Sequence, residues 1–131
     1  MKVLVLNSGS STLKYQLIET SAELMASDAD RCLARGIVDR IGVEVTDHAG
    51  AVRMALSSLG ERHGAVHDLK EIEAVGHRVV HGGEHFSAPM VMDESVVARI
   101  EECASLAPLH NPLNLRAYRA AQALLPHASH V

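Results

Sequence analysis

Val3-Leu4-Val5-Leu6 is an unbroken apolar run, the pattern of a strand buried on both faces. Residues 7–12, Asn-Ser-Gly-Ser-Ser-Thr, interrupt it with turn formers. From Leu13 the pattern alternates, with Leu13, Tyr15 and Leu17 apolar and Lys14 and Gln16 polar, which predicts a second strand and hence a hairpin. A third strand is expected between the glycines of Gly36–Gly42, followed by Val43 to Val45. The period then changes. Val52, Ala55, Leu56 and Leu59 recur at helical spacing, with Thr46 or Asp47 as cap and Gly60 as stop. Ala74 to Val80 reads as a buried strand ended by Gly82-Gly83. Asp93 caps a second helix that turns Val96, Val97, Ile100, Cys103 and Ala104 inward. Asn111, as an N-cap with Pro112 in the first turn, opens a third helix. Leu115, Tyr118, Gln122 and Leu125 lie on one side of it, and Pro126 ends it. Ala128 to Val131 turns toward a further strand. Strands first, then helices interleaved with strands, predict an α/β domain with a mixed sheet led by a hairpin.

Composition narrows the function classes. With 131 residues the chain is one ordinary domain, and apolar and charged shares of 47% and 21% are those of a globular protein rather than a disordered one. Aromatics are only 2%, too few for a base-stacking surface. The net charge of -4, with no basic stripe, argues against nucleic acid as a partner. Cys32 and Cys103 fit no metal or redox spacing, and two isolated thiols suit a reducing compartment. No apolar run approaches a signal peptide or a membrane span, so a cytoplasmic protein with no membrane partner is expected.

Three segments carry candidate chemistry. Asn7-Ser8-Gly9-Ser10-Ser11-Thr12-Leu13-Lys14 puts four hydroxyls, an amide and a cation between two strands. Small residues let backbone N–H groups approach an anion, Lys14 supplies a point charge suited to phosphate, and Asn7 offers an oxygen to Mg²⁺ or its water. It is not a Walker loop, since no G-x-x-x-x-G-K-[ST] occurs and a strand follows it. A serine-rich turn with no ligand is the alternative. In the second segment, Gly76-His77-Arg78-Val79-Val80-His81-Gly82-Gly83-Glu84-His85-Phe86, strand alternation puts Arg78 and Val80 on one face and His77, Val79 and His81 on the other. A guanidinium beside a small apolar wall suits a short carboxylic acid. Alternatively Arg78 pairs with Glu84, or His77, His81 and His85 bind a transition metal, although no zinc signature is present. In the third, Ala107-Pro108-Leu109-His110-Asn111-Pro112, His110 precedes a helix start, where a neutral imidazole can donate to an anion or simply pack.

Together the three segments, beginning Leu6-Asn7-Ser8-Gly9, Gly76-His77-Arg78-Val79 and Leu106-Ala107-Pro108-Leu109, resemble the acetate kinase family in order and in residue identity. The likeness runs from Met1 to the end and is weakest between about Gly42 and His67. The resemblance implies a fold of the actin, Hsp70 and sugar-kinase superfamily (ribonuclease H-like) and the reversible reaction of ATP and acetate to ADP and acetyl phosphate with Mg²⁺. Carried over by position, Asn7 would help bind Mg²⁺, Lys14 would approach the nucleotide phosphates, and Gly9, Ser10 and Thr12 would line the phosphate loop. Arg78 would bind the acetate carboxylate or the transferring phosphoryl group, Val80 and Leu109 would wall the methyl pocket, and His110 would donate near the phosphoryl group.

Departures from the family pattern accompany the likeness. Thr12 stands where the family usually has Ser, and the stretch after Gly42 is shorter than the family norm. The family's aspartate-bearing strand, a second arginine, a second acidic Mg²⁺ ligand and the adenosine-binding domain have no counterpart in residues 1–131. The expectation is therefore an incomplete N-terminal acetate kinase domain without its C-terminal nucleotide-binding domain, inactive alone, whose full-length form is a homodimer. Propionate kinase is the nearest rival, and Val80, where propionate kinases tend to carry Ala, favours acetate. A non-catalytic anion-binding module and a histidine-rich metal protein are the rivals from other classes.

Overall fold

The computed structural model describes residues 1–79, 88–103, 108 and 111–131. Five strands form one sheet in the order β3-β2-β1-β4-β5. β1 (Lys2–Ser8) and β2 (Leu13–Glu19) are the expected antiparallel hairpin, in the register Asn7 opposite Lys14 and Ser8 opposite Leu13. β3 (Arg31–Val38) extends the meander on the outer edge of β2. β4 (Ile72–His77) lies parallel to β1, and the two-residue β5 (Ser129–His130) lies parallel to β4. The sheet is mixed, as the sequence predicts.

Alternation divides the sheet into two unlike faces. Leu4, Leu6, Leu13, Leu17 and Val75 are buried on one of them. Two helices cover that face: α2 (His48–Glu61) packs on β2 and β3, and α4 (Asn111–Leu124) on β1 and β4. They meet each other over a core that also holds Val52, Ala55, Leu59, Ala117 and Ala121. α3 (Glu94–Glu102) lies on the outer side of α4, where Val96, Val97 and Ile100 join Leu115 and Tyr118 in a second cluster with Val79. Asp47 and Asp93 are the N-caps of α2 and α3, accepting from the Gly50 and Val96 N–H groups at 2.8 Å each.

Several boundaries differ from the sequence expectation. β3 begins at Arg31, not Gly36, and Gly36 is inside it directly opposite Tyr15. A Cβ at Gly36 would overlap the Tyr15 ring, so this glycine makes room for a cross-strand aromatic rather than ending a strand. Val43 to Val45 is a turn closed by a single Ile41–Val45 bridge. Gly60 lies within α2, and the left-handed residue beyond its end is Gly64, at φ +60°. β4 starts two residues before Ala74 and ends at His77. Val80, Gly82, Gly83 and Ala104 lie outside the described residues. α4 includes Asn111, which is fully buried, and Pro112 still falls in the first turn, where its missing N–H costs nothing. Gln122 is exposed, while Leu125, just past the helix, is fully buried. A short helix, α1 (Ala22–Ala26), was not expected; Ser21 caps it and it buries no residue.

Candidate functional site

The second face of the sheet has no helix on it among the described residues. Asn7 pairs with Lys14, and Lys14 with Ile37. The Arg78 N–H donates to the Leu6 carbonyl at 3.2 Å, carrying the β1–β4 ladder one step past the Leu6–His77 pair. Arg78 thus stands beside Asn7, and Ile37, Lys14 and Asn7 on three strands form a row with Arg78, the residue just past β4. With strands ~4.8 Å apart, the Lys14 and Arg78 backbones are about 10 Å apart, within joint reach of one small anion. Arg35 is on the same face, opposite Gln16, and shares with Asn7, Lys14 and Ile37 a groove of about 460 Å³. Lys14, Arg35 and Arg78 put three cations here, and no carboxylate occupies the neighbouring strand positions. Such a face carries a positive potential that attracts anions. Neither Lys14 nor Arg78 enters an ion pair among the described residues. Glu84, the alternative partner of Arg78, lies outside them.

At the end of the row the hairpin turn is tight. The Gly9 N–H donates to the Thr12 carbonyl at 2.8 Å, and a Cβ on Gly9 would come within 2.7 Å of the Thr12 hydroxyl. Ser10 and Ser11 are exposed. The turn is anchored from the helical side. His48 Nε2 donates to the Gly9 carbonyl at 2.8 Å, Asn114 Nδ2 donates to the Ser8 carbonyl at 3.2 Å, and the Ile41 N–H donates to the Ser11 carbonyl at 3.0 Å. His48 and Asn114 are 4% and 2% exposed, and sequence reasoning singled out neither. A signal was present. His48 stands one helical turn before Ala51 and Val52, on the apolar stripe of α2, and Asn114 adjoins Leu115 on that of α4. A polar side chain on a core stripe needs a buried partner.

His77 is on the helical side of the sheet, away from Arg78. Its ring stacks on His130 and meets Tyr118 edge-on. His130 Nε2 donates to the Leu125 carbonyl at 3.0 Å, which leaves its Nδ1 to accept from His77 Nε2 at 3.0 Å. Burial, reinforced by the neighbouring His130, pushes the His77 pKa down to about 3. His81 and His85 lie outside the described residues, and among those described no three His, Cys, Asp or Glu side chains converge on a possible metal site. Val80, Leu109 and His110 also lie outside them. Of the sequence-derived site residues, Asn7, Gly9, Ser10, Thr12, Lys14 and Arg78 are brought to one end and one face of the sheet.

The chain as a whole has known relatives. The acetokinase family model matches residues 2–131. The chain belongs to the acetokinase family. It is 47% identical to an acetate kinase of Thermotoga petrophila and 48% identical to one of Agathobacter rectalis, each over 145 aligned positions that take in 96% of the chain. The chain spans about a third of the length of these relatives, 34% and 35%. The aligned positions outnumber the 131 residues of the chain, so the relatives carry residues that it lacks within the matched region. Among solved structures, Porphyromonas gingivalis acetate kinase superposes with a TM-score of 0.89 at 38% identity over 98% of this chain and 36% of its own. A propionate kinase from Francisella tularensis gives 0.80 at 29% identity, over 98% and 35%. The fold is thus that of the acetokinases, the actin, Hsp70 and sugar-kinase type, with a mixed five-stranded sheet and flanking helices.

The residues at the site suit phosphate better than a resident metal. The cations Lys14, Arg35 and Arg78, a tight turn and exposed hydroxyls can hold phosphoryl oxygens, whereas the Asn7 amide is a single neutral oxygen donor. No described helix is long and apolar enough to cross a membrane.

Proposed function

We propose that residues 1–131 are the N-terminal, phosphate-facing domain of an acetate kinase that interconverts ATP plus acetate and ADP plus acetyl phosphate. The row of Lys14, Asn7 and Arg78 beside the Gly9 turn, with no carboxylate at the neighbouring strand positions among the described residues, is the observation that carries this reading. Phosphoryl transfer asks a protein mainly for positioning and for charge stabilisation, and this row can supply both. A carboxylate oxygen of acetate, already ionised near neutral pH, attacks the γ-phosphorus in line as the bond to the ADP oxygen breaks, so no base is needed. Arg78 neutralises charge on the acetate or the moving phosphoryl group. Lys14 and the turn, through Gly9, Ser10 and Thr12, hold nucleotide phosphates. Mg²⁺ enters with ATP as part of the substrate, and Asn7 holds it directly or through a bound water. On the same reading Val80 and Leu109 wall the methyl pocket and His110 donates to the phosphoryl group. The adenosine is held by a nucleotide-binding domain outside residues 1–131, which alone turn over no acetyl phosphate. The full-length protein is a cytoplasmic homodimer.

The likeness to a propionate kinase makes propionate the second reading. Trapping the acyl phosphate made by the full-length protein from MgATP, with acetate or propionate as acceptor, tests both. Acetate is expected to have the larger kcat/KM, by about tenfold or more, the usual effect of one methylene in a closed pocket. A larger value for propionate makes the chain a propionate kinase, and no acyl phosphate from either acid ends the kinase reading.

A further inference from the structure

We infer that His48 is a positioning residue that aims the turn at phosphate. This rests on the reading of the Gly9 turn as a phosphate loop.

In a trans peptide the C=O and the following N–H point in opposite directions, and no described peptide bond is cis. A donor that fixes a carbonyl therefore fixes the next N–H to point away from that donor. Asn114 holds the Ser8 carbonyl, and the Gly9 N–H of the same peptide turns to the Thr12 carbonyl and closes the turn. The Ile41 N–H holds the Ser11 carbonyl, so the Thr12 N–H points away from Ile41. His48 holds the Gly9 carbonyl from within the helical layer, so the Ser10 N–H points out of that layer. That N–H has no acceptor among the described residues. It is a fixed donor at the exposed tip of the turn, where successive N–H groups can bind an anion.

The bond also fixes the tautomer of His48. A carbonyl only accepts, so Nε2 carries the proton. Glycine at position 9 leaves its flanking peptides free to rotate, because no Cβ restricts them. An outside donor is therefore what holds the Gly9–Ser10 peptide in one orientation. His48 opens α2, whose Ala51, Val52, Ala55 and Leu59 are buried without exposure, so the donor is mounted on a rigid part of the core.

The test is steady-state kinetics and thermal melting of the full-length protein with three substitutions. His48→Leu removes the donor, His48→Asn keeps a donor too short to reach Gly9, and His48→Gln puts an amide N–H where Nε2 was. His48→Leu and His48→Asn are expected to raise KM for MgATP by about tenfold, the effect of one lost orienting hydrogen bond. KM for acetate should stay within about twofold, and His48→Gln should restore most of the MgATP value. A lowered melting temperature with KM for MgATP unchanged would overturn the inference, as would His48→Gln behaving like His48→Asn. If His48→Leu does not fold, the Asn and Gln pair decides. Unmutated protein that makes acetyl phosphate while Lys14→Met leaves KM for MgATP unchanged would instead overturn the phosphate-loop reading beneath it.

Discussion

Acid should weaken this fold through His77, and Gln at that position should remove the effect. In the unfolded chain the imidazole binds a proton near pH 6.5; in the folded chain burial and the adjacent His130 delay this to about 3. Between those values the unfolded state carries one more proton on this residue, so stability is complete above about pH 6.5 and falls as pH drops toward 3. One proton corresponds to ~1.4 kcal/mol per pH unit, or ~2 kcal/mol between pH 6.5 and 5, with a ceiling of ~5 kcal/mol across the whole window. Against a total of about 5–15 kcal/mol for an ordinary domain, that is a large share. Gln in place of His77 keeps an N–H directed at His130 Nδ1 but takes up no proton. Urea unfolding followed by circular dichroism at half-unit steps from pH 7.5 to 4.5 gives stability curves for both proteins. Their difference should change by about one proton's slope below pH 6.5, every other titrating group being common to both. Parallel curves would refute the placement of His77 as a part-buried neutral donor to His130.

Two further substitutions probe the scaffold. Gly36→Ala should destabilise the protein by about 1–3 kcal/mol in chemical denaturation, because its methyl overlaps the Tyr15 ring in the packed sheet. A neutral result would mean that the Tyr15 ring lies elsewhere. Glu71 accepts from Lys2 Nζ at 2.8 Å and from the Asp68 and His67 N–H groups, Lys2 being the main cause of a pKa lowered to about 2. Its contribution is complete above the unfolded value near 4.5 and is lost as pH falls toward 2. Glu71→Gln should therefore lower the melting temperature at neutral pH and flatten its decline below pH 4.5; an unchanged acid limb would contradict the assignment.

Much of the fold was legible because the core follows simple periods. Leu13, Tyr15 and Leu17 alternate and are buried as the alternation requires; Asp93 caps α3 as expected, and of the two candidates Thr46 and Asp47 it is Asp47 that caps α2. The misplacement of β3 has a specific physical origin. The sequence pattern places a strand between Gly36 and Gly42, yet here the missing side chain of Gly36 accommodates Tyr15 across the sheet. α1 buries nothing, so no apolar period marks it. On the site side, Asn7, Lys14 and Arg78 were identifiable because they carry charge or ligating groups in short segments. Their lateral alignment depends on the parallel pairing of β1 with β4, strands some seventy residues apart, which no local pattern encodes. His48 and Asn114 escaped notice because a lone polar residue on a helix resembles many others until its partner is known.

Under the proposed function Arg78, beside Asn7 and Lys14 on the sheet face that carries no described helix, acts on the acetate or the transferring phosphoryl group. The turnover number of the full-length protein with Arg78→Ala, measured as acetyl phosphate formed at saturating MgATP and acetate, tests it most directly. A loss on the order of 10³-fold with the melting temperature nearly unchanged is expected, in keeping with arginines that stabilise phosphoryl transfer. Unchanged turnover, or a loss explained by unfolding alone, would contradict it.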